Sequence, residues 1–383
     1  MTAIKFPARA RGRFAFVTIR DFSGTNAKLR PLLEAGFPEL ECDHVDIPSW
    51  VRGERRVLAR NLLRVGAEYG PANFRDRRDL WGAFWRTDYI FREIRAAMRE
   101  RIAGGGYVFT LQTQSIFDAS VPGVPHFVYT DNTDLAGSES PDYRAAPERW
   151  RMREREIYEH ATVTFTMSSN VTRSLAEHYG IAADHIRCVR AGSNVELAGA
   201  DQRVPDYASQ GIVFVAREWE LKGGPELLAA FDVVRARHPA ATLTIVGCSP
   251  PIGSHEGVTI RGWCSPADVS SELLRASIFC LPTRREAFGI AFIEALAHGL
   301  PVIGPSLGAI PDFIEDGKSG YLTPPGDLAA LTTALELLLD DPGRRRRFGE
   351  RGRRMAERYT WPQAVGEITA GIREVIDRPG AGA

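Results

Sequence analysis

The chain has 383 residues and a mass of 42.3 kDa, room for two domains of similar size. Hydrophobic residues at 44% and charged residues at 25% exclude a disordered chain or a fibre, and 48 basic against 48 acidic residues argue against a dedicated nucleic-acid binder. No run of 18 apolar residues marks a membrane span, and five scattered cysteines without a CxxC pair give no disulfide framework or zinc site. A reduced, cytoplasmic protein is expected.

Short apolar runs alternate with helical periods along the chain, the pattern of parallel sheets covered by helices, so the fold class is α/β. The first buried strand is expected at 14–19. It is followed by Ser23-Gly24-Thr25-Asn26 and a helix over 26–35. Further strands are expected at 44–47, 107–112, 126–129, 163–167 and 186–189, with helices at 89–102, 148–160 and 169–178. Residues 52–101 carry 13 arginines against 7 acidic residues, together with Trp81, Phe84, Trp85, Tyr89 and Phe91. The preferred reading is a helix pair with solvated arginines. The rival reading is a peripheral contact with the inner face of a membrane. Asp131 stands just past the strand at 126–129, pointing into a cleft. Residues 196–210, with Gly199, Pro205, Asp206 and Ser209, break the pattern and read as the linker. The domains are therefore 1–198 and 211–361, with 199–210 between them.

In the second half, strands are expected at 212–216, 242–246, 258–261, 278–281, 301–303 and 320–322. Helices are expected at 224–238, 266–276, 289–298, 310–315, 328–340, 343–358 and 363–376, with a frayed tail at 378–383. Two doubly wound domains then face each other, and ligands of such sheets bind beyond the carboxyl ends of the strands. Arg217, at the end of a strand, and Lys222, opening Lys-Gly-Gly, form a natural diphosphate clamp. Arginine forks onto two phosphate oxygens while lysine acts as a point charge. The plain alternative is a solvated charged loop. Gly289 at a helix start leaves backbone N–H groups open to an anion. Glu286 would lie on the loop lip, and Glu294 lower in the same cleft. One carboxylate could hold sugar hydroxyls and the other ribose, although this spacing also suits the surface of an amphipathic helix. The run Arg344–Arg347 reads as a solvated face. No HxxxH, Asp-x-Asp or cysteine cluster calls for a metal.

The segment Glu286-Ala-Phe288-Gly289-Ile290…Glu294 resembles the hallmark of the retaining, GT-B-fold glycosyltransferases of family four. The resemblance continues through Gly299-Leu-Pro-Val-Ile-Gly, Gly308-Ala-Ile-Pro-Asp and Asp316-Gly-Lys-Ser-Gly. It extends upstream to Phe214-Val-Ala-Arg217…Lys222-Gly-Gly and covers nearly all of the second half. It implies two Rossmann-like domains around a cleft, with the last helix, 362–378, packing back on the first domain. It implies transfer of a sugar from a nucleotide diphosphate sugar, a UDP-sugar first and a GDP-sugar next, without a metal or other cofactor. The acceptor would be a hydroxyl of a glycan, a lipid or a small molecule. Glu286, Arg217, Lys222 and Asp131 would act at the reaction centre. Gly24, Gly262, Trp263, Cys264, Phe288, Gly289, Ile290 and Glu294 would hold the donor. Asp131 departs from the family, whose members often carry His there. The rival readings are a nucleotide-sugar epimerase on the same fold and a non-catalytic nucleotide-binding subunit.

Overall fold

The computed structural model describes residues 12–19, 22–195 and 205–378. The expected linker is thus described only from Pro205 onward, and the tail beyond Arg378 lies outside the described residues. The first half runs β1 (Arg13–Thr18), α1 (Thr25–Gly36), β2 (Glu41–Asp46), α2 (Ile47–Gly53), α3 (Arg55–Tyr69), α4 (Arg77–Phe84), α5 (Asp88–Ala103), β3 (Tyr107–Thr113), β4 (His126–Thr130), α6 (Glu148–His160), β5 (Val163–Thr166), α7 (Ser169–Glu177) and β6 (Ile186–Cys188). The second half runs β7 (Gly211–Val215), α8 (Gly224–Arg235), β8 (Thr242–Val246), β9 (Val258–Gly262), α9 (Pro266–Arg275), β10 (Ile278–Cys280), α10 (Ile290–Ala297), β11 (Val302–Pro305), α11 (Ile310–Phe313), β12 (Gly320–Thr323), α12 (Leu328–Asp340), α13 (Pro342–Ala356) and α14 (Trp361–Ile376).

Among the described residues the strands form two six-stranded parallel sheets. Their orders are β2-β1-β3-β4-β5-β6 and β12-β11-β10-β7-β8-β9. Strand order therefore reverses between β1 and β3 in one sheet and between β7 and β10 in the other. At such points adjacent loops turn to opposite faces and leave a crevice. Central strands are buried throughout, as β4, β5, β10 and β11 show, because helices cover both faces. The expected α/β architecture of two facing, doubly wound domains is the one observed.

Local chemistry explains where the elements differ from expectation. The strand expected at 44–47 stops at Asp46, whose carboxylate caps α2 by accepting from Ser49 N at 3.1 Å, with Pro48 in the first turn. Helices α2 to α5 fill the basic stretch. Val57, Asn61 and Val65 of α3 point inward at helical spacing. Asn61 Nδ2 donates to Phe84 O at 2.8 Å, and Tyr69 OH donates to Arg86 O at 2.7 Å, so α3 is bolted to the α4–α5 turn.

The solvated-face reading of Arg344–Arg347 needs correction at Arg345, which is 1% exposed. Its guanidinium donates to Tyr207 O at 2.9 and 2.6 Å, to Leu339 O at 3.0 Å and to Leu338 O. Arg345, Phe348 and Gly352 form the inward stripe of α13.

The last helix, α14, packs on the first sheet's α1. A Cβ on Gly36 would lie 2.8 Å from Thr369 Oγ1, and Arg373 Nη2 donates to Gly36 O at 2.9 Å and to Glu39 at 2.8 Å. Side chains also bridge the two halves directly. Arg284 forks onto Asp142 at 2.7 and 3.1 Å, Ser140 Oγ donates to Arg284 O at 2.6 Å, and Ser169 N donates to Asp312 at 2.7 Å.

Candidate active site

The loops after β7 and β10 flank the second sheet's switch point, and glycines let them touch. Gly223 has φ +74°, and a Cβ there would sit 2.0 Å from Pro282 O. Arg284 N donates to Leu221 O at 3.0 Å. Lys222 Nζ consequently reaches across to Glu286 Oε2 at 2.9 Å and Arg285 O at 3.1 Å. Arg217, on the same loop, is exposed. Gly289, at φ +97°, is the N-cap of α10 and contributes no side-chain cap, so the first amides of that helix are left for another acceptor.

These groups open onto a cavity of about 1750 Å³ between the two halves. Gly24, Arg217, Lys222, Trp263, Cys264, Glu286, Gly289, Ile290 and Glu294 all line it. Trp263 is 75% exposed, so its ring is no part of the core. Gly24, the N-cap of α1, and Ser23 before it both hold positive φ, 73° and 53°, on the facing wall.

Three expected residues lie outside the lining. Phe288 is buried, its ring 5.9 Å from that of Phe313 and 6.4 Å from that of Tyr359, so it packs beneath the loop instead of facing the donor. Gly262, at φ +65°, ends β9; its carbonyl accepts from Gly247 N at 2.7 Å, and its turn delivers Trp263. Asp131 is half-buried just past the end of β4 and is not among the residues that line the cavity.

Glu294 is 9% exposed, and burial raises its carboxyl to about 7 against the opposing pull of the Asn194 backbone N–H. His298, one turn on, is kept neutral by burial, which lowers its pKa. It sits 2.7 Å from Glu294 O through Nδ1 and 2.7 Å from Ser270 Oγ through Nε2. A backbone carbonyl only accepts, so Nδ1 carries the proton and Ser270 donates to Nε2.

Sequence reasoning missed the convergence on Asn194. Asn194 Oδ1 accepts from Trp361 Nε1 at 3.0 Å, its amide donates to Ser23 O, and its backbone N–H faces Glu294. It also missed Gln114, which holds φ +68° at the end of β3, with its side-chain Oε1 buried and unpartnered. A non-glycine residue in that region is strained and needs support from its surroundings. Gln112 supplies it by donating to Gln114 O at 2.8 Å. No local pattern marks either residue, since each depends on partners distant in sequence.

Residues 209–341 match the family model described as Glycosyl transferases group 1. The chain is 29% identical over 266 residues to the D-inositol 3-phosphate glycosyltransferase of Corynebacterium kroppenstedtii, across 62% of this chain and 58% of that relative. It is 26% identical over 238 residues to the MMP alpha-(1->4)-mannosyltransferase of Mycolicibacterium hassiacum, across 59% of this chain and 56% of that one. The chain thus aligns with little more than half the length of these curated relatives. Among solved structures, sucrose-phosphate synthase from Thermosynechococcus elongatus superposes with a TM-score of 0.69 at 18% identity, covering 96% of this chain and 100% of that chain. Anabaena HepE in complex with UDP and glucose gives a TM-score of 0.62 at 14% identity, covering 94% and 100%. Within the second half the match to the group 1 glycosyl transferases is confined to residues 209–341, and the two halves together have the GT-B fold.

Proposed function

We propose that the chain is a retaining glycosyltransferase of the family-four type, moving a sugar from a nucleotide diphosphate sugar to an acceptor hydroxyl. The carrying observation is the meeting of Arg217, Lys222, Glu286 and the α10 amides around one cavity at the β7/β10 switch point. An anion of two phosphates suits that set. Arg217 supplies a forked cation, and the helix start supplies N–H donors. Lys222 is paired with Glu286, so an arriving diphosphate would draw its ammonium away and free the carboxylate for sugar hydroxyls. Glu294, deeper and largely dry, suits ribose hydroxyls.

In the transfer step the bond between the anomeric carbon and the diphosphate oxygen breaks. The acceptor oxygen bonds to that carbon on the same face. The acceptor proton passes to the departing phosphate, whose growing charge Arg217, Lys222 and the helix dipole stabilise. No metal is assigned a role in this step. The group 1 match, and relatives named as glycosyltransferases, favour transfer over epimerisation.

The test is a thermal-shift and product-release panel of UDP-, GDP-, ADP- and dTDP-sugars, run with chelator and again with magnesium. One nucleotide sugar should raise the melting point by mass action and slowly release its nucleoside diphosphate. Absence of both effects with every donor would overturn the reading.

A further inference from the structure

We propose that the outer face of α3, with the turn that follows it, docks on an anionic lipid surface. Leu63 on α3 is 76% exposed and Phe74 is 48% exposed. Gly66, three residues after Leu63 and so on the same helix face, lies against the Phe74 ring, its Cβ position 3.6 Å from Phe74 Cε2. Leu63 and the Phe74 ring therefore lie on the same side of α3 and form an exposed apolar knob. Trp81 on the adjoining α4 is 41% exposed, its ring edge-on to Phe84 at 5.1 Å.

Arginines surround the knob. Residues 52–77 carry seven arginines against three acidic residues, and all seven arginines are exposed. Among the described residues Arg55, Arg56, Arg60, Arg64, Arg75 and Arg77 pair with no carboxylate. Elsewhere many arginines are paired: Arg101 with Asp43, Arg187 with Glu374, Arg351 with Glu315. Glu68 does not offset the cluster, because it turns inward to accept from Asp88 N at 3.2 Å. The inner face of α3 is held rigid by Asn61 and Tyr69, so the outer face is a fixed platform. Uncompensated arginines around exposed leucine and aromatic rings fit a surface with anionic headgroups above acyl chains. Each cation gains from the negative surface potential, and the apolar knob gains by entering the headgroup boundary. A polyanion without an apolar layer would satisfy the arginines and leave Leu63, Phe74 and Trp81 in water.

The inference is independent of the donor-site reading. Vesicle flotation of the full chain tests it, using phosphatidylcholine vesicles with and without about one third phosphatidylglycerol. Binding is expected only to the anionic vesicles and should fall roughly tenfold or more between ~0.05 and ~0.5 M salt. The triple variant Arg56→Glu, Arg60→Glu, Arg64→Glu should lose it by roughly a hundredfold, whereas Arg60→Lys with Arg64→Lys should keep most of it. Leu63→Ser with Phe74→Ser should weaken binding about tenfold at unchanged charge. Circular dichroism and the melting temperature confirm that each variant is folded. Four outcomes would overturn the proposal: no flotation, equal binding to neutral vesicles, tighter binding to heparin with no dependence on Leu63 and Phe74, or a dimer that Leu63→Ser dissolves.

Discussion

Glu294→Gln separates stability from binding at one buried carboxyl. Burial moves this group from 4.5 to about 7, so the folded protein holds a proton that the unfolded chain has released across that window. Stability contributed by the protonated form is complete at pH 4.5 and below, declines as pH rises, and is gone above pH 7. At 1.36 kcal/mol per pH unit, the cost of the ionised form is about 3 kcal/mol at most. Glutamine keeps the carbonyl that accepts from Asn194 N–H and cannot ionise. The variant should therefore be more stable than the parent by about 1 to 3 kcal/mol at pH 8 and indistinguishable from it near pH 4.5. Urea midpoints at the two pH values measure this. Nucleotide-sugar affinity should move the other way. Losing a charged acceptor costs about 1.5 to 3 kcal/mol, a weakening of roughly tenfold to a hundredfold at pH 8. A gain in stability equal at both pH values, or none at pH 8, would refute the burial argument. Unchanged affinity would remove Glu294 from the donor site.

Arg217→Ala should leave the unfolding midpoint nearly unchanged, since the side chain is exposed, and should lower turnover at least roughly a hundredfold; steady-state kinetics with whichever donor the panel selects checks it. Gly223→Ala should destabilise by about 2 kcal/mol or more and weaken donor binding, because its Cβ meets Pro282 O and its φ of +74° is left-handed. Arg345→Leu should cost about 2 to 4 kcal/mol in chemical unfolding, by stranding the carbonyls of Tyr207, Leu338 and Leu339. The Arg284–Asp142 bridge is half exposed, with side-chain exposures of 41% and 39%. A double-mutant cycle there should give a coupling of only about 0.5 to 1 kcal/mol, shrinking with salt.

Much of the architecture was legible because it rests on local patterns. Each expected strand appears within a few residues of its place, and for the central strands the reason is that a strand buried on both faces must be a short apolar run between turn signals. Glycines at 223 and 289 announced the loops at the switch point, because left-handed backbone and close approach leave few alternatives. The basic stretch was harder. The inward stripe of α3 includes Asn61, a polar residue whose partners are Phe84 O and Thr87 Oγ1, and the helix shows no strong apolar period without knowing that pairing.

The residues alone determined the two parallel sheets and a candidate set of phosphate-binding and hydroxyl-binding groups, for these follow from periodicity and turn chemistry within a few residues. Only the tertiary structure decided which of them share a surface. It set nine around one cavity, turned Phe288 into packing and buried Arg345 within a run of arginines. It also brought Lys222 onto Glu286, Asn194 against Glu294 and Arg284 onto Asp142. Such contacts join positions far apart in the chain. Their energies arise from burial and charge in the assembled cleft, quantities that no stretch of sequence carries by itself.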